Sequence, residues 1–482
     1  MDMTLPAAGL LIGGDRPVAS GGTIPVVNPS DGRVFAEIGR GTADDVDRAV
    51  RAARAAADGA WGRTTATERG RLLTKLAQAV LDRAEAIAAI EAADTGKPLK
   101  QARADAAALA RYFEFYGGAA DKHHGTTIPY QQGYTVLTVK EPHGVTGHII
   151  PWNYPIQILG RSLGGALAAG NAAVVKPAED ACLSVLRVAE LALEVGFPEG
   201  AVNVVTGYGA EAGAALASHP GIDHISFTGS PATGAAVQAA AARNNRPVTM
   251  ELGGKSPQIV FADADIDAAL PFLVAAIIQN AGQTCSAGSR LLVEASIYDA
   301  VVARVAERFR ELRCGPSSMD LDLGPIINER QRTRVLGHVD RAKADGLPVL
   351  AEGRIDAAAP LGGYYVVPTL VGDVPPDHPL AQEEVFGPVL AAMRFTDEAD
   401  AVRLANGTDY GLVAGVWTQD GGRQLRMARA IRAGQVFVNN YGAGGGVELP
   451  FGGYGRSGFG REKGFEALEG FSVTKTIAIR HG

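Results

Sequence analysis

The sequence is short of cysteine. Cys182, Cys285 and Cys314 are the only three in 482 residues, too few for a disulfide framework and consistent with a reducing cytoplasm. No charge of one sign dominates: 45 Lys and Arg face 52 Asp and Glu, a net charge of −7, and no basic block stands out. This argues against nucleic acid as a partner. No apolar run reaches the ~18–20 residues that span a bilayer, so no membrane partner is expected. Met1 to Arg16 has no basic stretch followed by an apolar one, so the chain reads as cytoplasmic. No His/Cys cluster has metal-ligand spacing, and no metal is expected.

Glycine and apolar residues are plentiful. There are 61 Gly, and hydrophobic residues make up 46% of the chain, which suits a closely packed α/β protein. A single core stops growing near ~250–300 residues, so two or more domains are required. Residues 43–117 read as helical: Asp44-Asp45 open one helix, an Ala/Leu/Arg periodicity runs from Thr67 to Ala93, and Gly96-Lys97-Pro98 breaks it before a helix through Tyr116. From 145 to 251, short β runs alternate with Ala-rich stretches: Val145–Ile150, Ala172–Val175, Val202–Val205, His224–Phe227 and Val248–Met250. That alternation predicts βαβ units and a doubly wound parallel sheet. A second α/β region follows to about 440, with strands at Gln258–Phe261, Arg290–Glu294, Val389–Phe395, Leu412–Trp417 and Gln435–Asn439. Its helices include Tyr298–Arg313 and Arg423–Ile431, and two further strands read at 134–141 and 472–480. The Gly pair after Glu251 marks the domain boundary.

Ligands of open parallel sheets sit at the carboxyl ends of the strands. Gly207 to Gly213, with Gly209 between, follows a strand as either a weak phosphate fingerprint or an ordinary strand-to-helix turn. Phe227-Thr228-Gly229-Ser230 leads into a helix through Thr233-Gly234, where free backbone N–H groups and the helix dipole suit a pyrophosphate, or the turn is a plain cap. Lys176 and Glu179 close another strand. A carboxylate there accepts from ribose hydroxyls and repels a 2′-phosphate, favouring NAD; the alternative is a surface ion pair. A thiolate at Cys285 attacks carbonyls well. Cys182, on an amphipathic helix, and Cys314, past a helix end, read as small apolar residues. Glu251 is either a general base with a raised pKa or a buried structural carboxylate. Asn153 is either an oxyanion donor or a turn residue.

Seven segments in order resemble the motifs of the aldehyde dehydrogenase superfamily. They are Pro151-Trp152-Asn153-Tyr154-Pro155, Lys176-Pro177-Ala178-Glu179, Phe227-Thr228-Gly229-Ser230, Glu251-Leu252-Gly253-Gly254 through Pro257, Gly282-Gln283-Thr284-Cys285, Glu384-Val385-Phe386-Gly387-Pro388, and Pro450-Phe451-Gly452-Gly453 with Ser457-Gly458. The resemblance implies a Rossmann-like NAD-binding domain (1–119 and 142–251), a second α/β catalytic domain (252–450) and a small β piece for oligomerisation (120–141 and 465–482). A homodimer or homotetramer is implied with it. Cys285 would be the nucleophile, Asn153 the oxyanion donor and Glu251 the base that hydrolyses a thioester. Ile149, Pro151, Trp152, Lys176, Glu179, Gly209, Gly213, Phe227, Thr228, Gly229, Ser230, Thr233, Gly234, Leu252, Glu384 and Phe386 would hold NAD.

The resemblance leaves three rivals: a coenzyme A-acylating relative, which typically lacks a glutamate at the position of Glu251, an NADP-preferring relative, and a non-catalytic binding protein. One position departs from the family pattern. Many relatives carry a lysine nine residues after the oxyanion asparagine, where this chain has Ser162, preceded by Arg161. Its absence weakens a proton relay with the base. The Gly-rich segment Asn440–Glu448 is consistent with a bulky aromatic aldehyde or a semialdehyde. Tyr112, Phe113, Phe115, Tyr116 and Tyr154 are either aromatic walls for it or core residues. Arg161 either attracts a carboxylate-bearing substrate or forms a surface salt bridge.

Overall fold

The computed structural model describes residues 5–6, 9–442 and 446–482. Its first sheet has six strands in the spatial order Gly458–Phe459, Val248–Glu251, His224–Thr228, Val145–Ile150, Ala172–Pro177, Val202–Val204. The last five pair in parallel, and the short Gly458–Phe459 adds antiparallel to Val248–Glu251. In chain order the parallel strands run 3-2-1-4-5, so the order reverses between Val145–Ile150 and His224–Thr228, where a doubly wound sheet opens its crevice. These strands carry apolar side chains on both faces because helices cover both.

The helical first hundred residues pack on this sheet. The helix Ala43–Asp58 starts in a capping box between Thr42 and Asp45. The Thr67–Ala93 periodicity proves to be two helices, Ala66–Asp82 and Ala84–Thr95, broken at Arg83 without Gly or Pro to announce it. Gly96, left-handed at φ 79°, ends the second. The helix Pro155–Ala169, with Pro155 at its start, lies almost wholly buried against the helix Leu99–Ala119. Gly160 and Gly164 make that approach possible: a Cβ would lie 2.8 Å from Leu109 Cδ1 at the first and 2.7 Å from Tyr116 Cδ2 at the second. The close crossing brings Arg161 and Tyr112 onto one cavity.

The second sheet has seven strands in the order Val349–Glu352, Thr369–Val371, Val389–Phe395, Arg290–Glu294, Pro257–Val260, Val413–Trp417, Gln435–Val438. All pair in parallel except the first, which is antiparallel. The chain passes from one sheet to the other through Leu252–Ser256. It later returns, since Val447, Ala467 and Leu468 belong to the core of the first sheet. A third sheet pairs Ser472–Arg480 with Tyr134–Pro142 over nine residue pairs, and Thr127–Ile128 with Tyr134–Pro142. Among the described residues no helix is long and apolar enough to cross a membrane. Cys182 sits at the N-cap of the helix Leu183–Glu194 rather than within it.

Candidate active site

The loop that carries Cys285 begins with a helix that stops abruptly. Ile266–Ile278 is capped by Asp265 and followed by three left-handed residues, Asn280 (φ 48°), Ala281 (φ 54°) and Gly282 (φ 73°). At Gly282 only a glycine fits, because a Cβ would stand 2.2 Å from the Gly387 carbonyl oxygen. This reversal delivers Gln283-Thr284-Cys285 to the end of the first sheet. Asn280 Nδ2 donates to the Asn153 carbonyl at 2.8 Å, and Gln283 Oε1 accepts from Ile327 N at 2.9 Å. Of the three cysteines only Cys285 is not buried. Burial of its sulfur, with Glu384 and Glu251 nearby and Arg161 opposing, pushes the thiol up to about 12, so it rests protonated. Cys314 donates its thiol to the Gly324 carbonyl, a structural contact.

Asn153 follows the strand Val145–Ile150. One N–H of its amide donates to the Gln283 carbonyl at 3.0 Å, and Oδ1 has no hydrogen-bond partner among the described residues. The amide carries two N–H donors, so one remains for a ligand. Glu251 ends its strand opposite Gly458. It is 1% exposed, and neither carboxyl oxygen has a partner among the described residues. Burial drives its pKa well above the usual carboxylate range, against the pull of Arg161. The two glycines after it let three segments converge: a Cβ on Gly253 would lie 2.2 Å from Glu384 Oε2, and one on Gly254 2.3 Å from the Cys285 carbonyl oxygen. Ser457 fixes this passage by donating to the Gly253 carbonyl at 2.7 Å and accepting from Gly411 N at 3.0 Å.

Cys285 and Asn153 share the wall of one cavity with Tyr112, Tyr154, Arg161, Phe451 and Lys463. A wider vestibule beside it is lined by Gln101, Phe272, Tyr441 and Gly442, with Gln279 and Ser286 common to both. The helix aromatics divide accordingly. Tyr112 and Tyr154 face the cavity, Phe113 and Tyr116 are core, and Phe115 packs on Tyr116 and Phe465. Residues 443–445 of the Gly-rich segment lie outside the described residues.

Arg161 is not in a surface salt bridge. It is 6% exposed, its Nε donates to Glu462, and its Nη2 donates to Thr228 Oγ1 at 3.1 Å. Burial works against its charge, but Glu462, Glu251 and other neighbours together outweigh that and hold its pKa raised. Glu462 also accepts from Ser226 Oγ at 2.6 Å. Ser162 is buried with its Oγ 3.1 Å from Nδ1 of His148 on the strand Val145–Ile150. Sequence reasoning missed Glu462 and Lys463, which lie just beyond the Ser457-Gly458 signature. It also missed Asn280, whose only signal was its position before the motif glycine.

The nucleotide-related residues gather at the sheet's crevice. Ile149 pairs with both Phe227 and Lys176 across neighbouring strands. Lys176 Nζ meets Glu179 Oε2 at 3.0 Å with Lys176 3% exposed, so this is a strand-end pair in the crevice and no loose surface contact. Burial would raise Glu179, but Lys176 beside it keeps it below its ordinary range and ionised. Gly209 and Gly213 bound a single π-helical turn before a five-residue helix, Ala214–Ser218. Neither position needs a glycine for space: the region opposite Gly209 is open, and a Cβ on Gly213 would lie 3.8 Å from Lys176 Cδ, an ordinary contact. At the start of the helix Pro231–Ala242, not every N–H is free. Gly229 N donates to the Glu251 carbonyl, Thr233 N to Ser230 Oγ and Gly234 N to the Ser230 carbonyl. Pro231 has no N–H, so the Ser230 and Ala232 N–H groups are what this turn can offer an anion. Leu252 packs against Gly234. Across the crevice, Trp152 meets Phe386 edge-on at 5.4 Å, and Glu384 accepts from Gly254 N at 3.0 Å. Burial pushes Glu384 up to about 7. Pro151 sits in the turn between Ile150 and Trp152.

Comparison with known proteins agrees with this arrangement. Residues 17–477 match the model of the aldehyde dehydrogenase family. An aldehyde dehydrogenase of Emericella nidulans is 44% identical over 96% of this chain and 93% of its own. A crystal structure from Burkholderia cenocepacia, of a chain assigned as an aldehyde dehydrogenase, superposes with TM-score 0.98 at 70% identity, covering 98% of this chain and 100% of that one. Betaine aldehyde dehydrogenase from Staphylococcus aureus, solved with NAD+, has TM-score 0.96 at 35% identity over 99% of this chain and 95% of its own. With the family model spanning nearly the whole chain and its motifs meeting at one cavity, this protein belongs to the aldehyde dehydrogenase family.

Proposed function

We propose that the protein oxidises an aldehyde to its carboxylic acid with NAD, through a thioester on Cys285 that water hydrolyses. The observation that carries this reading is the shared cavity wall of Cys285 and Asn153, with Glu251 close enough to push the thiol upward.

The crevice fits a dinucleotide. Glu179, ionised beside Lys176, suits the two hydroxyls of an adenosine ribose and disfavours a 2′-phosphate. Glu384, anchored on Gly254 N, suits the second ribose, and the Ser230 and Ala232 N–H groups suit the pyrophosphate. When bound, NAD supplies the two-electron acceptor for the aldehyde hydrogen. The protein's own chemistry surrounds that event. Cys285 gives up its proton to solvent water and its sulfur bonds the aldehyde carbon. The free N–H of Asn153 and the Cys285 backbone N–H stabilise the oxyanion. After oxidation the acyl group remains on sulfur. Glu251, deprotonated, takes a proton from water, which attacks the thioester; the C–S bond breaks and the acid leaves with Cys285 restored.

The test is NADH production with purified protein and a panel of aldehydes, without coenzyme A, beside Cys285→Ala. Turnover by the wild type, acid as product, and a loss of roughly 10³-fold or more in the variant are expected. A requirement for coenzyme A, or NAD binding without turnover of any aldehyde, would sink this reading. Dimer or tetramer assembly through the third sheet and residence in the cytoplasm belong to the same proposal.

A further inference from the structure

Ser226 and Thr228, two apart on the strand His224–Thr228, share one face of the first sheet. Their hydroxyls hold the two halves of an ion pair. Ser226 Oγ donates to Glu462 at 2.6 Å, and Thr228 Oγ1 accepts from Arg161 Nη2 at 3.1 Å. Arg161 Nε donates to the same Glu462. The guanidinium is therefore fixed through two of its nitrogens at the carboxyl end of the strand. Thr228 is also the register partner of Glu251 on the neighbouring parallel strand. Partners in register, on strands about 4.8 Å apart, set their side chains side by side on one face. Glu251 thus lies next to the hydroxyl that carries Arg161. On its other flank it pairs with Gly458, which has no side chain to offer. Neither Glu251 oxygen has a hydrogen-bond partner among the described residues, so desolvation holds the carboxyl in its neutral form unless a charge opposes it. The charged groups that face it are Arg161 from the helix Pro155–Ala169, and Arg461, Glu462 and Lys463 from the segment after Gly458–Phe459; the Cys285 thiol feels its charge in turn. Among these charges Arg161 pulls hardest toward ionisation, and Glu462 opposes it.

Resting on the thioester reading above, we infer that Arg161 is a positioning residue for hydrolysis: it is the fixed counter-charge against which Glu251 ionises to activate water, and Glu462 sets how much of that charge Glu251 feels. A guanidinium stays protonated throughout and has no lone pair to accept with, so no proton passes through Arg161. It takes part in no bond change. Its contribution is a constant field at the base, aimed by Thr228 and tempered by Glu462. The two acids next to Arg161 therefore have opposite parts: one is the base that it favours, and the other dilutes the favour.

The experiment acylates Cys285 with a p-nitrophenyl ester, without NAD, and follows decay of the acyl-enzyme by intact mass across a range of pH. The wild type is compared with Arg161→Gln, Arg161→Lys and Glu462→Gln. Wild-type decay should rise with pH to a plateau. Arg161→Gln should move the midpoint up by about one unit or more, which slows decay about tenfold at any pH below the midpoint and keeps the alkaline plateau. Arg161→Lys should hold the midpoint near that of the wild type. Glu462→Gln should move it down. Opposite shifts from the two halves of one ion pair are what a merely structural role does not produce, since breaking the pair from either side disturbs the same packing. Losses equal at every pH, or shifts of one sign from both Arg161→Gln and Glu462→Gln, would overturn the inference and leave the thioester reading intact. Should Arg161→Gln not fold, Glu462→Gln decides alone: a lowered midpoint supports the inference, and an unmoved or raised one overturns it. A wild type that forms no acyl-enzyme on Cys285 would remove the thioester reading and the inference with it.

Discussion

At the scale of single residues, the site depends on groups held in costly states. Glu251 is buried with neither oxygen hydrogen-bonded among the described residues, and its pKa is raised. A carboxyl raised in the folded state stabilises the fold fully below its unfolded pKa, and that stability is lost as pH rises through the folded value. Glu251→Gln should therefore flatten the decline of melting temperature with rising pH; an unchanged slope in thermal scans would contradict the assignment. The same variant should release a burst of NADH near one equivalent and then stall, since only the water step needs the base. In the wild type, hydrolysis should accelerate with pH as Glu251 deprotonates, which stopped-flow acyl decay would follow. Asn280 works through its neighbour: its amide bonds the Asn153 backbone, and its left-handed φ is one that asparagine tolerates better than alanine. Asn280→Ala should lower kcat by roughly 10-fold or more with little change in KM, as Asn153 loses its place. Asn280→Asp, which keeps the side-chain shape but not the donor, should fail to rescue it.

At the scale of elements, one buried cluster supports the segment that carries Asn153. Lys97, in the turn after the helix Ala84–Thr95, reaches Glu91 at 3.1 Å and also Asp105 on the helix Leu99–Ala119. Its ammonium lies 4.5 Å from the Tyr154 ring, next to Asn153, and Asp105 accepts from Gln157 at 2.8 Å. Lys97→Met leaves two buried carboxyls without their cation and should cost roughly 3–5 kcal/mol, read by urea unfolding. The sequence announced the Gly96-Lys97-Pro98 break but not this role, because the cluster exists only once the helices pack. Elements follow the same logic. The five parallel strand runs of the first sheet were legible to within a residue or two, since each is a short apolar run buried on both faces; the two-residue Gly458–Phe459 was not. The hairpin Thr23–Asn28 with Arg33–Gly39 was not, because Pro25 and an exposed face blur its alternation. The helix Ile266–Ile278 carries an internal proline and an almost unbroken apolar run, which hides its period. Motif residues could be found because each is short and local. The Arg161–Glu462 pair, 301 positions apart, has no local signature.

At the scale of the molecule, the third sheet leaves its long edge strand Ser472–Arg480 exposed, with Val473, Ile477 and Ile479 at 41, 37 and 49% exposure. A long apolar edge on a lone chain invites pairing. Replacing Ile477 and Ile479 by Asp together should shift the protein toward monomer in light scattering, while the cavity-lining residues stay in place. An unchanged mass would move the assembly surface elsewhere.

The return of the chain to its first core has a consequence for synthesis. Arg161, buried early in the sequence, receives its counter-ion only from Glu462, and the first sheet gains its outer strand only at Gly458–Phe459. A ribosome has therefore made Asn153, Glu251 and Cys285 before it makes the segment that balances the buried charge of Arg161.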